Sequence, residues 1–428
     1  MAFNKDHVNC GVSELDYFSK KYIQNDISHG YFVELTPRNT IIPNNPLVFQ
    51  IDASSDFVDL ARTQLKVVLS MRDADNANLD QNAIAAPVNN ICSSLFSQVS
   101  VSLKGTTISH SDPNYSYRSY FENLLNYSDE SKSTWMRQMG WFKDTAGSFD
   151  VNTNNGLIKR RDLFAGGSKV ELITRLHTDI NFQPLLIPSN LDIKYILTPS
   201  RPEFLIQSFV ADKTYTVVIE SAQLLVRKVK LHPQRALAFE KDIAKSPIRL
   251  PISYVKVNSH TIAQGMQSFE KNSLFSGRLP KILIFALIPN ESYNGSFATN
   301  PYNFKHCSLS SVQFLHNGIQ IPTIALQPKF DTGNIFESFN SVAKALGHEY
   351  ANFSNGISKE DFAGGNAIYG INFSSNTTCA HDDGVEMGSI DVSITFATPL
   401  VQTMSLILYT MTPSDVIIDR YRNVLFDM

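Results

Sequence analysis

The tetrapeptide Phe164-Ala-Gly-Gly167 recurs as Phe362-Ala-Gly-Gly365 in the second half of a chain of 428 residues. Each copy stands before a segment with the period-two alternation of a β-strand, Lys169–Ile173 in the first half and Ile368–Phe373 in the second. Four matching residues could be a coincidence in a chain of this length. The segments that precede the two copies therefore decide whether the match reflects a duplicated structure.

A hairpin signal precedes each copy. The segment Val312–Ile321 alternates apolar and polar residues around Asn317-Gly318, which is a strong signal for a tight type I′ turn. The segment Val99–Ile108 alternates in the same way around Lys104-Gly105, which is a weaker signal for the same turn. The two predicted hairpins occupy corresponding places in the two halves of the chain.

A helical segment follows each hairpin. Apolar residues recur at helical spacing in Tyr117–Tyr127 and in Ile335–Leu346, and Gly347 stands where helices commonly end in a left-handed residue. Aromatic stripes at this spacing usually pack in a core, so both segments are predicted to be packing helices rather than ligand sites. The order hairpin, helix, polar loop, Phe-Ala-Gly-Gly and strand thus occurs twice, and it indicates two domains of one architecture in tandem.

Further alternating segments fill both halves and are separated by turn residues. Ile282–Ile288 differs from the others because it is apolar on both sides, which predicts a buried central strand. We predict an all-β fold of two tandem eight-stranded antiparallel jelly rolls with a few short inserted helices, although other sandwiches remain possible on pattern alone. The other predicted strands are Gln64–Met71, Gln98–Leu103, Thr214–Glu220, Leu224–Leu231, Ile390–Phe396 and Met404–Tyr409.

The predicted domain boundaries follow from the places where the strand pattern stops. His232-Pro-Gln-Arg235 interrupts the pattern near the middle of the chain, and a short helix is predicted over Arg235–Ala244. The predicted organisation is an N-terminal arm at 1–30, a first jelly roll at 31–232, a linker at 233–250, a second jelly roll at 251–414 and a C-terminal tail at 415–428.

Composition argues against several functional classes. Charged residues make up only 18% of the chain, the net charge is −3 and the pI is about 6.4, so no global positive field attracts nucleic acid. The short basic clusters Lys159-Arg-Arg161 and Arg227-Lys-Val-Lys230 have no aromatic platform beside them, which argues against sequence-specific nucleic-acid binding. A low charge with 43% hydrophobic residues is typical of a subunit whose surface is covered in an assembly.

The cysteines and the apolar runs indicate the compartment. Cys10, Cys92, Cys307 and Cys379 are far apart and form no CxxC pair, so neither a zinc site nor a disulfide framework is predicted. The first residues lack the apolar core of a signal peptide, and the longest aliphatic run, Ile282–Ile288, is too short to cross a bilayer. We expect a protein that is not secreted and has no transmembrane segment.

The sequence contains no P-loop, no dinucleotide-binding glycine motif, no GxSxG elbow and no HExxH. His177-Thr-Asp179 lacks a signalled third ligand, so we interpret His177 as a structural histidine rather than as part of an iron site. Asp73–Asp80 lacks the EF-hand ligand pattern, and we interpret this segment and His381-Asp-Asp383 as solvated loops. We predict that the protein is not an enzyme, has no catalytic, cofactor-binding or metal-binding residues and uses no cofactor.

Several stretches form a set that keeps its order from about residue 31 to the end of the chain. They are Pro87–Val101, Tyr117–Tyr127, Trp141–Gly147, Arg175–Ile180, Asn294-Gly295 with Asn300–Phe304, Asn355–Phe362 and Ile418–Val424. Together they resemble the hexon-type major capsid protein of polintons (Mavericks) and of the related adintoviruses. The chain departs from that pattern in small ways, for example at Ile91-Cys92, where an aromatic or aliphatic pair is common.

The resemblance implies a double jelly-roll major capsid protein with no catalytic residues. It implies a homotrimer that forms a pseudo-hexameric capsomer, with neighbouring capsomers, a penton protein and minor capsid proteins as partners in an icosahedral shell. It also implies location in the virion after synthesis in the host cell. The long loops near 128–165 and 289–309 are then candidates for the outer tower or for clasps between subunits.

Two other functions remain open from the sequence. A carbohydrate-binding or carbohydrate-active jelly-roll protein would need a carboxylate pair in an aromatic-lined cleft. A host-domesticated capsid copy acting as an intracellular scaffold would share the fold, and the sequence does not separate it from the virion protein.

Overall fold

The computed structural model describes residues 26–109, 113–210, 213–350, 354–374 and 386–427. Cys10, Cys379, the segment His381-Asp-Asp383 and most of the predicted N-terminal arm lie outside these residues. Most of the described regular structure is antiparallel β-sheet, as predicted.

Antiparallel strands in the first half of the chain form two four-stranded sheets. The strands are β1 (Ile27–Leu35), β2 (Leu47–Ile51), β3 (Phe57–Asp73), β4 (Ala85–Pro87), β5 (Phe96–Leu103), β6 (Thr106–Thr107), β7 (Val170–Arg175), β8 (Ile193–Pro199), β9 (Ile206–Ser208) and β10 (Tyr215–Leu231). One sheet has the order β1-β10-β3-β7 and the other the order β2-β8-β5-β6, while β4 and β9 form a separate pair. These two sheets make the first jelly roll.

The second half repeats the two four-stranded sheets with the same strand order. The strands are β11 (Ile248–Ile262), β12 (Ser268–Arg278), β13 (Ile282–Pro289), β14 (Leu309–His316), β15 (Ile319–Leu326), β16 (Ile368–Asn372), β17 (Met387–Phe396), β18 (Met404–Ile418) and β19 (Val424–Asp427). The sheet orders are β11-β18-β13-β16 and β12-β17-β14-β15, and β19 adds to one edge of β18. The predicted pair of tandem jelly rolls is confirmed.

The two predicted hairpins are present, and both turns have the type I′ backbone. Lys104 and Gly105 have φ of +46° and +81°, and Asn317 and Gly318 have φ of +51° and +81°. Positive φ at both central residues matches the twist of the flanking strands. The turns join β5 to β6 and β14 to β15, which are equivalent strands in the two jelly rolls.

Helices lie mainly in the connections between strands. They are α1 (Ile91–Ser94), α2 (Tyr115–Asn126), α3 (Asp129–Ser133), α4 (Asn155–Phe164), α5 (Pro202–Leu205), α6 (Pro233–Lys245), α7 (Asn290–Asn294), α8 (Phe336–Ala345) and α9 (Lys359–Ala363). α2 and α8 confirm the two predicted packing helices, and Gly347 after α8 has the expected positive φ of +71°. None of the helices in the described ranges is long and apolar enough to span a bilayer.

The repeated tetrapeptide marks the same turn from helix to strand in both halves. α4 and α9 end within the two copies, and β7 and β16 begin shortly after them. Gly167 and Gly365 have φ of +76° and +128°, and a Cβ would lie 2.6 Å from the side chain of Asn78 in the first case and 2.5 Å from the ring of Phe149 in the second. Glycine is therefore required at both places by backbone conformation and by space.

Strand bounds differ from the predicted domain boundaries. β1 begins inside the predicted arm 1–30, β11 begins inside the predicted linker 233–250, and the predicted tail 415–428 contains the end of β18 and all of β19. Pro413 lies inside β18, between the ends of β13 and β19 along one edge of that strand, where no neighbouring strand needs the N–H that proline lacks.

β13 is buried on both faces because it belongs to two cores. Leu283, Phe285 and Leu287 point into the core between the two sheets of the second jelly roll. Ile284 and Ala286 point the other way, into a hydrophobic cluster that is continuous with the core of the first jelly roll. The face of sheet β11-β18-β13-β16 that points away from its own roll is thus covered by the other roll.

The equivalent strand β3 shows what happens where no such cover exists. Leu65, Val67 and Leu69 point into the first roll, whereas Lys66 and Arg72 lie on the opposite face. β3 and β13 occupy the same position in their sheets. β13 is apolar on both faces because the other roll covers its outer face, whereas β3 alternates because its outer face is not covered in this way.

Truncation of Ile284 tests this shared core. Ile284→Ala is expected to lower the free energy of unfolding by about 2–5 kcal/mol, because it removes methylene and methyl groups from a site that cannot collapse. Leu237→Ala removes the same number of carbon atoms from the exposed face of α6, where Leu237 is 64% exposed, and is the matched control. Chemical denaturation at equal protein concentration compares the two, and an equal loss in both would contradict the shared core.

Candidate functional site

A cluster of ionised side chains joins the two jelly rolls. Arg118 on α2 donates from Nε to Glu122 Oε1 (2.9 Å) and from Nη2 to Asp179 Oδ1 (2.7 Å). Asp179 Oδ1 also accepts from the backbone N–H of Val255 on β11 (3.0 Å), and Glu122 Oε1 accepts from the hydroxyl of Tyr409 on β18 (3.3 Å). A charge network of the first roll thus ends on two strands of the second.

The histidine that the sequence singled out belongs to this cluster. His177 Nδ1 lies 2.5 Å from Glu122 Oε2, and the backbone N–H of His177 donates to the hydroxyl of Tyr115 (3.1 Å). Asp179 is turned toward Arg118 rather than toward His177. In the part of the chain that the structure describes, no group of three His, Cys, Asp or Glu side chains could hold a metal ion.

The cluster keeps Glu122 ionised. Burial acts to raise the pKa of Glu122, but Arg118 and His177 outweigh burial and hold the pKa at about 2. At Asp179 burial outweighs the same guanidinium and raises the pKa, and Asp179 Oδ2 has no hydrogen-bond partner. Arg118, Glu122 and the Oδ1 atom of Asp179 are thus bonded to one another inside the junction.

An aromatic wall on α2 packs against the second roll beside this cluster. Tyr120 stacks on Tyr302 with ring centroids 3.9 Å apart and planes 5° apart, and Phe121 meets Tyr409 edge-on at 6.3 Å. The hydroxyl of Tyr302 lies 2.6 Å from Ser94 Oγ. The stripe predicted from the sequence is confirmed as core, and the core it fills is the junction between the rolls.

The loop near 289–309 was predicted as an outer tower or a clasp between subunits, and its inner half is neither. Tyr302 and Phe304 are fully buried within one chain. Asn300 Nδ2 donates to Asp144 Oδ2 (3.3 Å), and Asn303 Nδ2 donates to Asp150 Oδ2 (2.6 Å). The loop is a clasp within the subunit, because it binds the long insertion that follows β6 of the first roll.

That insertion also contains the basic cluster Lys159-Arg-Arg161, which lies on α4 and not in a loop. Arg160 is buried, and its guanidinium donates to Asp144 Oδ1 (2.7 Å) and to the carbonyl oxygens of Pro87 and Phe142 (both 2.8 Å). In the other cluster, Arg227 Nη1 lies 2.6 Å from Asp59 Oδ2. Neither cluster presents a run of free cations.

The long insertions of the two rolls touch each other through a buried lysine. Lys132 Nζ donates to the carbonyl oxygens of Leu124 and Asn355, and Lys143 Nζ lies 2.7 Å from Asp361 Oδ2. Burial lowers the pKa of Lys132 to about 7, although Asp129 acts in the opposite direction. The contact brings the two halves of the chain together at one end of the molecule.

The acidic loop after β3 uses its first carboxylate internally. Asp73 Oδ1 accepts from the backbone N–H groups of Asp75 (3.1 Å) and Ala77 (2.8 Å), which shapes the turn. Asp73 thus stabilises the conformation of the loop Asp73–Asp80.

A sugar site needs a carboxylate pair in an aromatic-lined cleft. A cleft of about 490 Å³ contains Asp150, but both oxygens of this carboxylate are bonded, to Asn300 N (2.7 Å) and Asn303 Nδ2 (2.6 Å). A cavity beside Trp141 is lined by two carboxylates, Asp129 and Asp144, but its volume of about 20 Å³ holds a water molecule and not a sugar. Neither cavity supports the carbohydrate alternative.

Exposed apolar side chains are the remaining feature with functional meaning. Four of them belong to the second roll, namely Ile319 and Ile324 on β15, Phe336 at the start of α8 and Met387 at the start of β17, and they are 70%, 71%, 64% and 66% exposed. Such a set is typical of a surface that meets another protein. The sequence indicated covered surfaces from composition alone and could not place them.

Removal of the central guanidinium tests the junction. Arg118→Met leaves Glu122 and Asp179 buried without their cation, so we expect a loss of about 3–5 kcal/mol in the free energy of unfolding. Arg38→Met breaks an exposed pair with Asp52 and is expected to cost less than about 1 kcal/mol. Thermal and chemical unfolding measure both variants, and similar costs for the two would show that the junction cluster does not hold the rolls together.

The pKa of Lys132 predicts a pH dependence. The folded chain releases this proton near pH 7 and the unfolded chain near the ordinary value of 10.5, so the burial penalty is full below pH 7 and stability rises with pH between these values. Lys132→Met removes this slope, which is at most about 1.4 kcal/mol per pH unit. Denaturation of both proteins from pH 7 to 10 measures the difference, and parallel curves would contradict the prediction.

No family model matches the chain. An uncharacterized protein of Caenorhabditis elegans is 26% identical over 341 residues, which cover 77% of this chain and 80% of that protein.

Solved structures of viral capsid proteins share the fold over nearly the whole chain. PBCV-1 VP54, fitted into a cryo-EM reconstruction of the virophage Sputnik, has a TM-score of 0.62 at 12% identity and covers 96% of this chain and 100% of its own. The cryo-EM structure of Sputnik gives 0.63 at 11% identity, covering 97% and 91%, and the mavirus major capsid protein gives 0.54 at 11%, covering 100% and 95%. The chain therefore has the double jelly-roll fold of these viral capsid proteins.

Proposed function

We propose that this chain is a major capsid protein whose homotrimer forms a pseudo-hexameric capsomer of an icosahedral shell. The observation that carries the proposal is the repetition of one strand order in both halves of a single chain. Three such chains present six similar rolls, so three identical subunits can occupy a place with sixfold neighbours.

The junction between the rolls supports this role. A subunit that sets the geometry of a shell needs its two rolls at a constant angle. A continuous hydrophobic core, the stacked pair Tyr120 and Tyr302 and the network around Arg118 all cross from one roll to the other. Buried charge networks of this kind favour one arrangement over others, because a shifted arrangement would leave charges unpaired.

The comparisons support the proposal from another direction. The similar solved structures are capsid proteins of PBCV-1, Sputnik and mavirus, and the match covers almost the whole chain rather than one roll. The polar side chains at the junction of this chain are occupied by one another and offer no catalytic constellation within the described residues.

The finer parts of the proposal rest on the sequence resemblance. We assign the chain to the hexon-type capsid proteins of polintons and adintoviruses, located in the virion after synthesis in a host cell. Its partners are then neighbouring capsomers, a penton protein and minor capsid proteins, with no sequence-specific contact to nucleic acid. The segment before β1 is proposed as an arm toward minor proteins or the shell interior.

A second candidate is a capsid-derived protein that acts inside host cells. It is favoured by one observation, the relative of this chain in the nematode Caenorhabditis elegans. Such a protein would keep the fold and the trimer, and the presence or absence of closed shells in producing cells separates the two functions.

Electron microscopy and light scattering of the purified chain test the proposal. We expect particles with threefold symmetry and a pseudo-hexagonal outline, and a mass of three times 47.9 kDa or a larger shell built from that unit. A strictly monomeric species across salt and protein concentration would overturn the proposal.

A further inference from the structure

Part of the space between the two sheets of the second roll is lined by polar side chains. Where β11 pairs with β18, Tyr254 lies opposite Thr412 and Lys256 lies opposite Thr410. Val255, which stands between Tyr254 and Lys256 on β11, is buried in the hydrophobic cluster shared with the first roll. Because successive residues of a strand point to opposite faces, Tyr254, Lys256 and the two threonines point into the second roll.

The equivalent pair of strands in the first roll is apolar on its inner face. β1 and β10 hold the positions in their sheet that β11 and β18 hold in theirs. Val33 of β1 lies opposite Val226 and Leu35 lies opposite Leu224, and both residues of β10 are fully buried. The jelly-roll fold therefore does not itself require polar residues on this pair of strands.

The polar residues of the second roll line a cavity of about 420 Å³, which lies between β11 and β18 on one side and β12 on the other. This volume is many times that of one water molecule, so a small organic ion can enter. Among the residues that the structure describes, no aspartate or glutamate lines the cavity. The side chains in its wall that can donate hydrogen bonds include Tyr254, Lys256, Asn258, Ser276, Arg278 and Thr412.

The two cations in the wall differ in their partners. Arg278 Nη1 donates to the carbonyl oxygen of Asp427 (2.9 Å), and Arg278 Nη2 lies 3.7 Å from the carboxylate of Asp427. The half-buried Lys256 has no hydrogen bond or ion pair from its Nζ to any residue in the described ranges. Lys256 thus contributes a positive charge that no carboxylate of the cavity wall balances.

The neighbouring residues add positive charge along the same edge of the roll. His260 lies on the same face of β11 as Lys256, and its Nδ1 lies 3.2 Å from Lys271 Nζ on β12. Burial and this ammonium lower the pKa of His260, so its imidazole is neutral at neutral pH and accepts a hydrogen bond from Lys271. The edge formed by β11 and β12 therefore favours an anion over a cation.

We infer that the cavity between β11, β18 and β12 binds a small anion that contains a phosphate group. Lys256, Ser276 and Thr412 stand on these three strands and would donate hydrogen bonds to the phosphate oxygens from different directions. Donors on three strands suit a tetrahedral oxyanion better than a planar carboxylate. The bound anion would connect the two sheets and would stabilise the folded chain in proportion to its concentration. The inference goes beyond the proposed function and does not depend on it, because the site lies inside one roll.

Calorimetric titration of the purified full chain tests the cavity with inorganic phosphate, adenosine monophosphate and adenosine. We expect saturable binding, with one site per chain, of at least one of the two phosphate-bearing probes and none of adenosine, which lacks the charge. Inorganic phosphate that binds as tightly as adenosine monophosphate, or more tightly, would identify free phosphate as the ligand, and tighter binding of adenosine monophosphate would identify a phosphate ester. If neither binds at millimolar concentration, or if adenosine binds as tightly as its monophosphate, the inference is wrong.

Substitutions assign the binding to this cavity. Lys256→Met removes the charge and keeps most of the side-chain length, so we expect the phosphate-bearing probe to bind about 10-fold more weakly or worse. Lys245→Met removes a lysine whose side chain is 78% exposed on α6, and this matched control should bind as the wild type does. Thr412→Val keeps the shape of the wall, removes a hydroxyl and should weaken binding about 3-fold or more.

Thermal unfolding without the probe separates binding from structure. Because Lys256 Nζ has no partner in the described residues, Lys256→Met should unfold at the same temperature as the wild type. A lower unfolding temperature with unchanged affinity for the probe would show a structural role for Lys256 and would overturn the inference. If Lys256→Met does not fold, Thr412→Val decides the question alone, and wild-type affinity in that variant would place the anion elsewhere.

Discussion

The burial of one sheet face on the neighbouring roll is the interaction on which this structure depends. Sheet β11-β18-β13-β16 has apolar side chains on both faces, and its outer face packs against the first roll through Ile284, Ala286 and Tyr409. Burial of one aliphatic side chain stabilises the folded state by about 1.5–3 kcal/mol. Several such side chains on this face therefore account for much of the attraction between the rolls. The two rolls therefore share one hydrophobic cluster and are not two bodies joined only by a linker.

Polar groups at this junction serve a different purpose from the apolar ones. Arg118 and Glu122 are four residues apart on α2 and reach into the same space, where Asp179 and Tyr409 meet them. A hydrophobic surface tolerates sliding, but a buried guanidinium with fixed carboxylate partners does not. The apolar face supplies attraction, and the charge network selects one alignment of the rolls.

Much of the fold could be predicted because its signals are local. The local backbone is predicted by turn residues such as Asn317-Gly318, by period-two alternation and by the repeated Phe-Ala-Gly-Gly turn. The burial of Ile282–Ile288 is predicted by its apolar residues on both faces. Contacts between residues that are far apart in the sequence have no such local signal. Arg160 reads as one of three surface cations, yet it closes a buried network with Asp144.

The candidate site was less predictable for the same reason. The low charge of the chain indicated that some surface is covered, but it did not separate surface covered within the chain from surface covered by another chain. The loop containing Tyr302 is an example, because the resemblance suggests an outer tower or a clasp between subunits, whereas the structure places the ring against Tyr120 of the same chain.

The doubly apolar strand also has a consequence for synthesis. The first roll is translated before the second, so it can fold before β13 leaves the ribosome. The apolar outer face of sheet β11-β18-β13-β16 can then pack on the first roll as soon as it forms. The last long strand, β18, lies between β11 and β13, so the second sheet stays open until β18 has left the ribosome. The order of the two rolls along the chain thus shields the most aggregation-prone surface during the interval in which it is incomplete.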